Sequence, residues 1–419
     1  MDIEALVREK AQAAKKAAHL LAVMKPEQKN HALCAMAEAL EKRASLILEA
    51  NAADLEEARM KKDMKRSYLD RLMLDESRIQ AMADGLRQTA ALADPVGRGD
   101  FSTVRPNGLE IRRVRVPLGV IGIIYEARPN VTADAAGLCL KSGNAVLLRG
   151  GSEALRSNAA IASLLTQAAQ EAGIPAGAIG FIDSADRKGV EAMLHLRGLL
   201  DAVIPRGGAG LIRAVVEGST VPVIETGSGI CHTFVDESAD LDMAEKIALN
   251  AKVSRPSVCN AMETLLVHEN IAESFLPCLV RAMEAAGVEL RGCARSRAIA
   301  GTLKEATDED WATEYGDLIL SVKVVRDVTA AIAHINRYNT GHSETIVTND
   351  VRNAHRFQAE IDAAAVYVNA STRFTDGGEF GFGAEIGIST QKLHARGPMG
   401  LVELTTMKYL IYGEGQVRE

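Results

Sequence analysis

The chain has 419 residues, of which 47% are hydrophobic and 25% are charged, and its formal net charge is −7. This composition is typical of a soluble globular protein, and the length predicts two or three domains. The negative net charge provides no basic field that would recruit nucleic acid or an anionic membrane surface. No apolar run approaches the roughly 18 residues of a membrane span. We therefore expect neither nucleic acid nor a membrane among the partners.

The cysteines are widely scattered, and none has the spacing of a zinc motif. They are Cys34, Cys139, Cys231, Cys259, Cys278 and Cys293. We expect neither a disulfide framework nor a metal site. The N-terminal residues include Asp2, Glu4 and Glu9 and lack the apolar segment of a signal peptide. The sequence therefore predicts a reduced, cytoplasmic protein.

The first 95 residues predict a layer of helices. One helical stripe has the i, i+3, i+4, i+7 spacing of a buried face. It consists of Leu33, Met36, Ala37 and Leu40. Residues 101–116 then form two strand-like runs around Asn107-Gly108, a dipeptide that predicts a hairpin with positive φ at both turn residues. The second run is rich in arginine, so we expect an edge strand or an arm that pairs with another subunit.

From residue 120 onward, short apolar runs alternate with helical runs, which predicts a mostly parallel sheet covered on both faces. The predicted strands are 120–125, 145–148, 179–182, 202–204 and 221–224, with helices at 132–141 and 155–172. A glycine-rich turn at 227–229 precedes a second series of the same kind. Its predicted strands are 233–235, 262–267, 319–325, 345–348 and 365–368, with helices at 241–253 and 271–286 and a last strand within 401–412.

Residues 254–260 (Ser-Arg-Pro-Ser-Val-Cys-Asn) form a short polar loop between a predicted helix and a predicted strand. Catalytic side chains often lie on loops held between rigid elements. Arg255 favours the thiolate of Cys259, which is the form that attacks carbon. A free cysteine is more often a small buried hydrophobe. A nucleophile and a structural thiol are therefore both open for Cys259 at this point.

Residues 205–210 (Pro-Arg-Gly-Gly-Ala-Gly) connect a predicted strand to a helix. Gly207, Gly208 and Gly210 would let backbone N–H groups and the helix dipole face a phosphate. The run is not the GxGxxG fingerprint, and a tight turn without a ligand is an equally good interpretation. The chain has no Gly-Lys-Ser/Thr phosphate loop, which argues against ATP chemistry.

Other polar residues follow predicted strands, at the end where ligands of open α/β sheets bind. Arg128 and Asn130 could bind an anion and an oxyanion there, or they could belong to a capped strand end with Thr132 as the helix N-cap. Glu225, beside the glycine turn, could be a base or the partner of an arginine.

Two further polar stretches are weaker candidates. Residues 314–316 (Glu-Tyr-Gly) and 369–374 (Asn-Ala-Ser-Thr-Arg-Phe) are each typical of a solvated loop. The second stretch nevertheless has the polar and cationic side chains needed to hold an amino-acid substrate.

Together these stretches resemble the aldehyde dehydrogenase superfamily over nearly the whole chain. Residues 117–120 (Pro-Leu-Gly-Val), 142–149 (Ser-Gly-Asn-Ala-Val-Leu-Leu-Arg), 225–227 (Glu-Thr-Gly) and 314–316 are similar to family motifs, and Cys259 is similar to the family nucleophile.

Within the superfamily, the longest motifs are similar to those of the γ-glutamyl phosphate reductases. They are 125–132 (Tyr-Glu-Ala-Arg-Pro-Asn-Val-Thr), 225–227 with Cys231-His232, and 254–260.

The resemblance implies reduction of L-glutamyl 5-phosphate by NADPH to L-glutamate 5-semialdehyde and phosphate, in proline biosynthesis. Cys259 would form a thioester, and its N–H and an asparagine amide would stabilise the oxyanions. Asn130 is the only asparagine near the family's position for that amide. Glu225 stands at the position of the family's hydrolytic base, and in a reductase it would be vestigial or would have a role in proton handling.

The resemblance also implies the binding residues. Arg149, with Gly207, Gly208 and Gly210, would bind the dinucleotide, and Arg149 would contact the adenosine ribose or its 2′-phosphate. Glu314 would hold the nicotinamide ribose. The leaving phosphate would be bound by Arg128 and Arg255. The glutamate part of the substrate would be bound by Asn369, Ser371 and Arg373, and glutamate 5-kinase is a possible partner.

The implied fold class is α/β of the aldehyde dehydrogenase type. It comprises a Rossmann-type NADP(H)-binding domain (1–100 and 118–228), a catalytic domain (229–400) and a β-hairpin oligomerisation arm (101–117 and 401–413) in a homodimer or homotetramer. An oxidative aldehyde dehydrogenase that hydrolyses its thioester with Glu225 is the nearest alternative. A non-catalytic binding protein on the same fold would not need the polar setting of Cys259.

Overall fold

The computed structural model describes residues 2–60 and 66–418, so residues 61–65 of the predicted helical stretch lie outside the described residues. The chain divides into two compact units, and the predicted domain boundary at 228/229 lies three residues after this division. The first unit comprises Met1–Glu225, Gly381–Gly387 and Met399–Glu419, and the second comprises Thr226–Phe380 and Ile388–Pro398.

Helices make up about half of the first unit. The predicted apolar stripe lies buried on α2. Among the described residues, no helix has the length and apolar character to cross a membrane. The helices are α1 (Ile3–Leu21), α2 (Pro26–Lys42), α3 (Ala44–Met60), α4 (Arg66–Leu72), α5 (Glu76–Ala91), α6 (Asn130–Lys141), α7 (Leu155–Glu171), α8 (Lys188–Leu194) and α9 (Ala209–Gly218).

The main sheet of the first unit is parallel and has the strand order β5-β4-β3-β6. After the short pair β1 (Gly99–Val104) and β2 (Glu110–Pro117), its strands are β3 (Val120–Tyr125), β4 (Ala145–Arg149), β5 (Ile179–Phe181) and β6 (Ala202–Arg206). Every residue of β3 and β4 is buried, as expected for parallel strands covered on both faces. The carboxyl ends of β3, β4 and β6 therefore meet at one edge.

The predicted strand at 221–224 is wrong. Only Val223 bridges to Val203 of β6. Pro222 accepts the N–H of Val203 with its carbonyl but has no N–H to donate, so the ladder does not extend.

The second unit contains a parallel sheet of strand order β10-β9-β11-β8-β7-β12-β13. Leu265 and Val267 of the central strand β8 pack in one apolar cluster and Leu266 in another, so β8 is buried on both faces. The strands are β7 (Cys231–Val235), β8 (Met262–His268), β9 (Glu289–Gly292), β10 (Lys304–Glu305), β11 (Ile319–Val325), β12 (Ser343–Val347), β13 (Ala365–Val368), β14 (Ile388–Ser389) and β15 (Gly397–Pro398). The helices are α10 (Leu241–Val253), α11 (Ala272–Ala285), α12 (Ala294–Ile299), α13 (Val328–Tyr338) and α14 (Val351–Glu360).

A separate antiparallel sheet, here called the arm sheet, belongs to the first unit. It has the order β1-β2-β16, where β16 is Thr405–Tyr412, so residues 401–404 of the predicted last strand lie outside the strand. The hairpin between β1 and β2 differs from the predicted one. Gly108 has a φ of +89°, whereas Asn107 does not have a positive φ. Pro106 fixes a negative φ just before Asn107, and Arg105 and Leu109 close a longer turn.

Candidate active site

The loop that carries Cys259 lies between the end of α10 and the start of β8. Asp240 caps α10 by accepting the N–H of Met243 at 3.0 Å, which fixes the helix that leads into the loop. Cys259 itself is partly exposed. The Cys259 side chain is thus held between two rigid elements of the second unit.

Gly229 packs directly against the backbone of Cys259. A Cβ atom at this glycine would overlap the carbonyl oxygen of Cys259. Only glycine fits such a close backbone approach. The Gly-Ser-Gly stretch, which the sequence predicts to be a domain boundary, thus also fixes the main chain of Cys259.

Cys231 also contacts the peptide group of Cys259. Its Sγ lies 3.2 Å from the carbonyl oxygen of Cys259 and 3.8 Å from Nδ1 of His342. Burial raises the pKa of the Cys231 thiol well above its usual range, and the charges of Glu344 and Cys259 raise it further. Cys231 therefore stays a thiol that donates to the Cys259 carbonyl.

A buried polar layer lies in the sheet beside Cys231. Oε2 of Glu344 accepts the backbone N–H of His232 at 2.7 Å and faces its Nδ1 at 3.0 Å. Burial raises the pKa of Glu344, and the charge of His232 opposes this shift. The neighbouring His334 has a pKa lowered to about 3 by burial and then by the charges of His232 and Lys323. His334 is therefore neutral at ordinary pH.

The predicted substrate stretch 369–374 contacts the cysteine loop through Asn260. The Asn260 side chain donates to the carbonyl of Thr375 at 2.9 Å, and its backbone carbonyl accepts the hydroxyl of Thr372 at 2.7 Å. Arg373 completes the contact, because its guanidinium donates to the amide oxygen of Asn260 and, at 3.0 Å, to Oγ of Ser254. The loop and the stretch thus form one polar surface.

Two arginines bring positive charge to this surface. Burial lowers the pKa of Arg373, and the nearby charge of Arg255 lowers it further. The Arg373 guanidinium bonds the side chain of Asn260, the residue that follows Cys259. Adjacent cations beside a cysteine suit an anionic substrate and favour a thiolate.

The other two predicted substrate residues hold backbone in place. Asn369 has a φ of 56°, and its side-chain amide bonds both the N–H and the carbonyl of Thr348, at 2.8 and 2.9 Å. Ser371 is buried and accepts the N–H of Arg373 with its hydroxyl at 3.3 Å. Of the three residues predicted for the glutamate part, Arg373 is the one that reaches the cysteine loop with its side chain.

Glu314 lies exposed on the segment that precedes β11. Its charge contributes to the electrostatics of the buried Glu263, whose pKa is raised to about 7, mainly by burial, against the opposing charge of Lys252. Burial also disfavours the charged form of Lys252, which lowers the pKa of its ammonium group.

In the first unit, the glycine turn before α9 already holds a negative group. Oε2 of Glu126 accepts the backbone N–H of Gly208 at 2.8 Å. A Cβ at Gly207 would lie 2.6 Å from the Glu126 carboxyl carbon, while Gly210 has open space around it. A helix N-terminus attracts anions, and here a carboxylate occupies the place that the sequence assigned to a phosphate.

Arg149 ends β4 at the same edge of the sheet. Its side chain is buried, with 8% of the residue exposed, and it donates to the carbonyls of Gly150 at 2.9 Å and Ala185 at 3.3 Å. Its buried Nε has no hydrogen-bond partner. Burial lowers the pKa of the guanidinium. Two of the five N–H donors of the guanidinium thus bind backbone carbonyls.

The predicted N-cap at Thr132 is wrong, because α6 begins at Asn130. The Thr132 hydroxyl instead pairs with the hydroxyl of Tyr125 at 2.6 Å. Nδ2 of Asn130 donates to the carboxylate of Asp134 at 2.9 Å. Burial raises the pKa of Asp134 to about 6.

Arg128 and Glu225, the remaining predicted site residues of the first unit, are both partly buried. Arg128 accepts the backbone N–H of Val131 with its carbonyl in the turn that opens α6.

Comparison with known proteins places the chain in a family. The pattern of the aldehyde dehydrogenase family matches residues 3–317 and 311–408. The chain belongs to the aldehyde dehydrogenase family. The resemblance predicted from its motifs and the predicted α/β fold class are thereby confirmed.

Relatives within this family are similar over the full length. The γ-glutamyl phosphate reductase of Caldanaerobacter subterraneus subsp. tengcongensis is 62% identical over 413 residues, which are 99% of this chain and 100% of the relative. The one of Moorella thermoacetica is 61% identical over 419 residues, 100% of both chains. The crystal structure of the γ-glutamyl phosphate reductase of Thermotoga maritima has a TM-score of 0.96 at 54% identity and covers 99% of this chain and 100% of that chain.

For this aldehyde dehydrogenase family member, the structure adds residues that sequence reasoning missed. Gly229, Cys231 and Asn260 fix the cysteine loop, and Glu126 fills the glycine turn. Cys231 and Asn260 lie within the family motifs, but their role in fixing the cysteine loop is visible only from their contacts in the structure. In the described part of the chain, no group of three or more His, Cys, Asp or Glu is arranged to hold a metal ion.

Proposed function

We propose that the protein reduces L-glutamyl 5-phosphate to L-glutamate 5-semialdehyde and phosphate with NADPH, the second step of proline biosynthesis from glutamate. The observation that carries this proposal is the polar surface around the partly exposed Cys259, in which the Arg373 guanidinium bonds Ser254 and Asn260 of the cysteine loop. The full-length similarity to γ-glutamyl phosphate reductases supports the choice of substrate.

The chemistry begins at Sγ of Cys259. The thiolate attacks the carbonyl carbon of the acyl phosphate, and the bond to phosphate breaks with its electron pair on the leaving oxygen. When bound, NADPH would supply a hydride to the carbonyl carbon of the resulting thioester. The tetrahedral oxyanion then collapses to the aldehyde and releases the Cys259 thiolate. No water attacks the thioester, so no hydrolytic base is needed.

The remaining roles follow the family resemblance. The Cys259 N–H and Asn130 are the proposed oxyanion donors, and losing one such donor typically costs ~10²–10³ in rate. Arg128 and Arg255 bind the leaving phosphate, whereas Asn369, Ser371 and Arg373 bind the glutamate part. Glu225 is either vestigial in the reductive reaction or handles protons.

NADPH is the proposed hydride donor. The unpartnered Nε of the buried Arg149 and the anion-binding N–H of Gly208 support dinucleotide binding at this edge of the sheet. We assign Arg149 to the adenosine 2′-phosphate, Gly207, Gly208 and Gly210 to the phosphates, and Glu314 to the nicotinamide ribose.

Replacement of Cys259 tests the proposal. Cys259→Ser lowers phosphate-dependent reduction of NADP by the semialdehyde by roughly 10³-fold or more, because a serine hydroxyl is a poor acyl acceptor without a base. The control is Cys278→Ser, which alters a thiol on α11 that is exposed and 3.5 Å from Glu245. Turnover near the wild-type rate in Cys259→Ser would exclude the thioester. Turnover without phosphate would instead identify an oxidative, hydrolytic aldehyde dehydrogenase.

The arm sheet supports a proposed homodimer or homotetramer. β16 is an edge strand, and Tyr409, Ile411 and Tyr412 expose more than half of their surface. An exposed apolar edge strand is suited to pairing with another chain. Size-exclusion chromatography of Ile411→Lys tests this proposal, and an unchanged elution volume would contradict it.

The setting of the reaction is also part of the proposal. All six cysteines are free, which fits the reducing cytoplasm. Glutamate 5-kinase, which makes the labile acyl phosphate, is the proposed supplier of the substrate.

A further inference from the structure

Two buried charged residues bracket the cysteine loop. Lys252 lies one residue before the end of α10, and Glu263 is the second residue of β8. Nζ of Lys252 donates to Oε2 of Glu263 at 2.6 Å, and the two side chains are 0% and 1% exposed. This ion pair therefore joins the two ends of the loop that carries Cys259.

The second oxygen of Glu263 reaches another segment. Oε1 accepts the backbone N–H of Gly316 at 3.1 Å, two residues after Glu314. The Lys252 ammonium also lies 6.0 Å from the ring centroid of Tyr315, within cation–π range. One carboxylate thus connects the cysteine loop to the segment of residues 314–316, here called the Glu314 segment.

Stability alone is a weak reason for such a pair. Buried ion pairs recover little more than their desolvation cost, and apolar replacements are often neutral or stabilising. A carboxylate with a fixed partner on each oxygen has a single orientation, so it sets distances between the elements that it joins. The first unit offers a comparison, because Lys29 and Asp94 form an ion pair of the same length, 2.6 Å, with side chains 1% and 9% exposed.

We propose that Lys252 and Glu263 are positioning residues that hold the Glu314 segment in register with the cysteine loop and so couple dinucleotide binding to the presentation of Cys259. This inference rests on the proposed function, in which Glu314 holds the nicotinamide ribose. Its physical basis is the sensitivity of catalysis to position, since a displacement of about 1 Å can lower a rate by roughly 10²-fold.

Two double variants isolate the hydrogen bond to Gly316. Lys252→Met with Glu263→Gln keeps an oxygen that Gly316 can donate to, whereas Lys252→Met with Glu263→Leu removes it. Neither variant buries an uncompensated charge. We expect the Leu variant to bind NADPH about tenfold more weakly than the Gln variant, the equivalent of one hydrogen bond. Its kcat/KM is expected to be roughly 10–100-fold lower.

Alkylation of Cys259 by iodoacetamide gives a readout that a purely structural role would not move. We expect NADPH to change the alkylation rate in the wild type and in the Gln variant, and to leave it unchanged in the Leu variant. Lys29→Met with Asp94→Leu is the matched control, and it keeps the wild-type NADPH affinity and alkylation response whatever its melting temperature.

Equal NADPH affinity and equal alkylation response in the folded Gln and Leu variants would overturn the proposal. If the Leu variant does not fold, Glu263→Asp provides the same test, because it keeps the charge but withdraws the second oxygen from Gly316. Unchanged NADPH binding in Glu263→Asp would then count against the coupling. Failure of the proposed function is a separate result, since it shows as the absence of phosphate-dependent turnover in the wild type.

Discussion

The two compact units hold their candidate residues in different ways. In the second unit, the peptide of Cys259 is fixed by Gly229 and by the buried thiol of Cys231. In the first unit, the N–H of Gly208 binds the carboxylate of Glu126, and Nε of Arg149 has no partner. The difference indicates that the main chain of Cys259 is fixed without a ligand, whereas a phosphate at the Gly208 turn would have to displace the carboxylate of Glu126.

The largest effect is expected from disturbing the second unit, where the peptide of Cys259 is fixed. Gly229→Ala forces a Cβ into the carbonyl of Cys259, so the cysteine loop must shift. We expect kcat/KM to fall by roughly 10²-fold or more. Gly301→Ala is the control, because Gly301 has open space around it. Wild-type kinetics in Gly229→Ala would show that the loop tolerates movement.

Arg149→Ala tests the dinucleotide candidates of the first unit. If the guanidinium binds the 2′-phosphate, the variant loses about tenfold in affinity for NADPH and much less for NADH. Calorimetric titration of both dinucleotides measures the ratio. An equal loss for the two would assign Arg149 to a part of the dinucleotide that they share.

The buried polar layer beside Cys231 predicts a dependence of stability on pH. The pKa of His334 is about 3 in the folded state against an ordinary 6.5, so only the unfolded chain gains a proton between these values. Stability is therefore full above pH 6.5 and falls on acidification, by about 1 kcal/mol between pH 7.5 and 5.5. The groups that face His334 are Lys323, His232, Trp311, Tyr338 and Arg337.

Urea unfolding of the wild type and of His334→Gln at both pH values measures this contribution. The variant is expected to lose about 1 kcal/mol less than the wild type on acidification. Parallel losses in the two proteins would show that other groups carry the pH dependence.

The smallest effect is expected from Glu126→Gln, which changes the glycine turn of the first unit. Removing the charge from the Gly208 turn leaves its donors freer for phosphate, so NADPH binding tightens by about threefold. Glu217→Gln, near the other end of α9, is the control. Weaker NADPH binding in Glu126→Gln would mean that the carboxylate contacts the dinucleotide instead of competing with it.

The alternating α/β pattern and the motifs predicted the fold class and the family, because periodicity and family motifs are local properties of the sequence. The position of Cys259 between α10 and β8 was predicted for the same reason. The strand predicted at 221–224 was wrong because Pro222 lacks the N–H that would extend the ladder, although the run is apolar. The helix start at Thr132 was wrong because α6 already begins at Asn130, directly after Pro129, whose fixed φ suits the start of a helix.

The contacts that define the site could not be predicted from the sequence. Gly229 and Cys231 lie about 30 residues from Cys259 in the chain, and Glu126 lies 82 residues from Gly208. Such contacts depend on how strands are ordered in a sheet, which periodicity does not specify. The φ values of Asn107 and Gly108 depend on Pro106, which lies outside the Asn-Gly dipeptide that predicts a hairpin.

The arm sheet has a consequence for synthesis on the ribosome. β2 is synthesised well before its neighbour β16, since Arg115 meets Thr405 across 290 residues. One edge of β2 therefore waits unpaired while the whole second unit is translated, and pairings this distant in sequence form slowly. A ribosome that stalls after residue 400 would release a chain with an open β edge, the kind of surface that chaperones bind and that aggregates grow on.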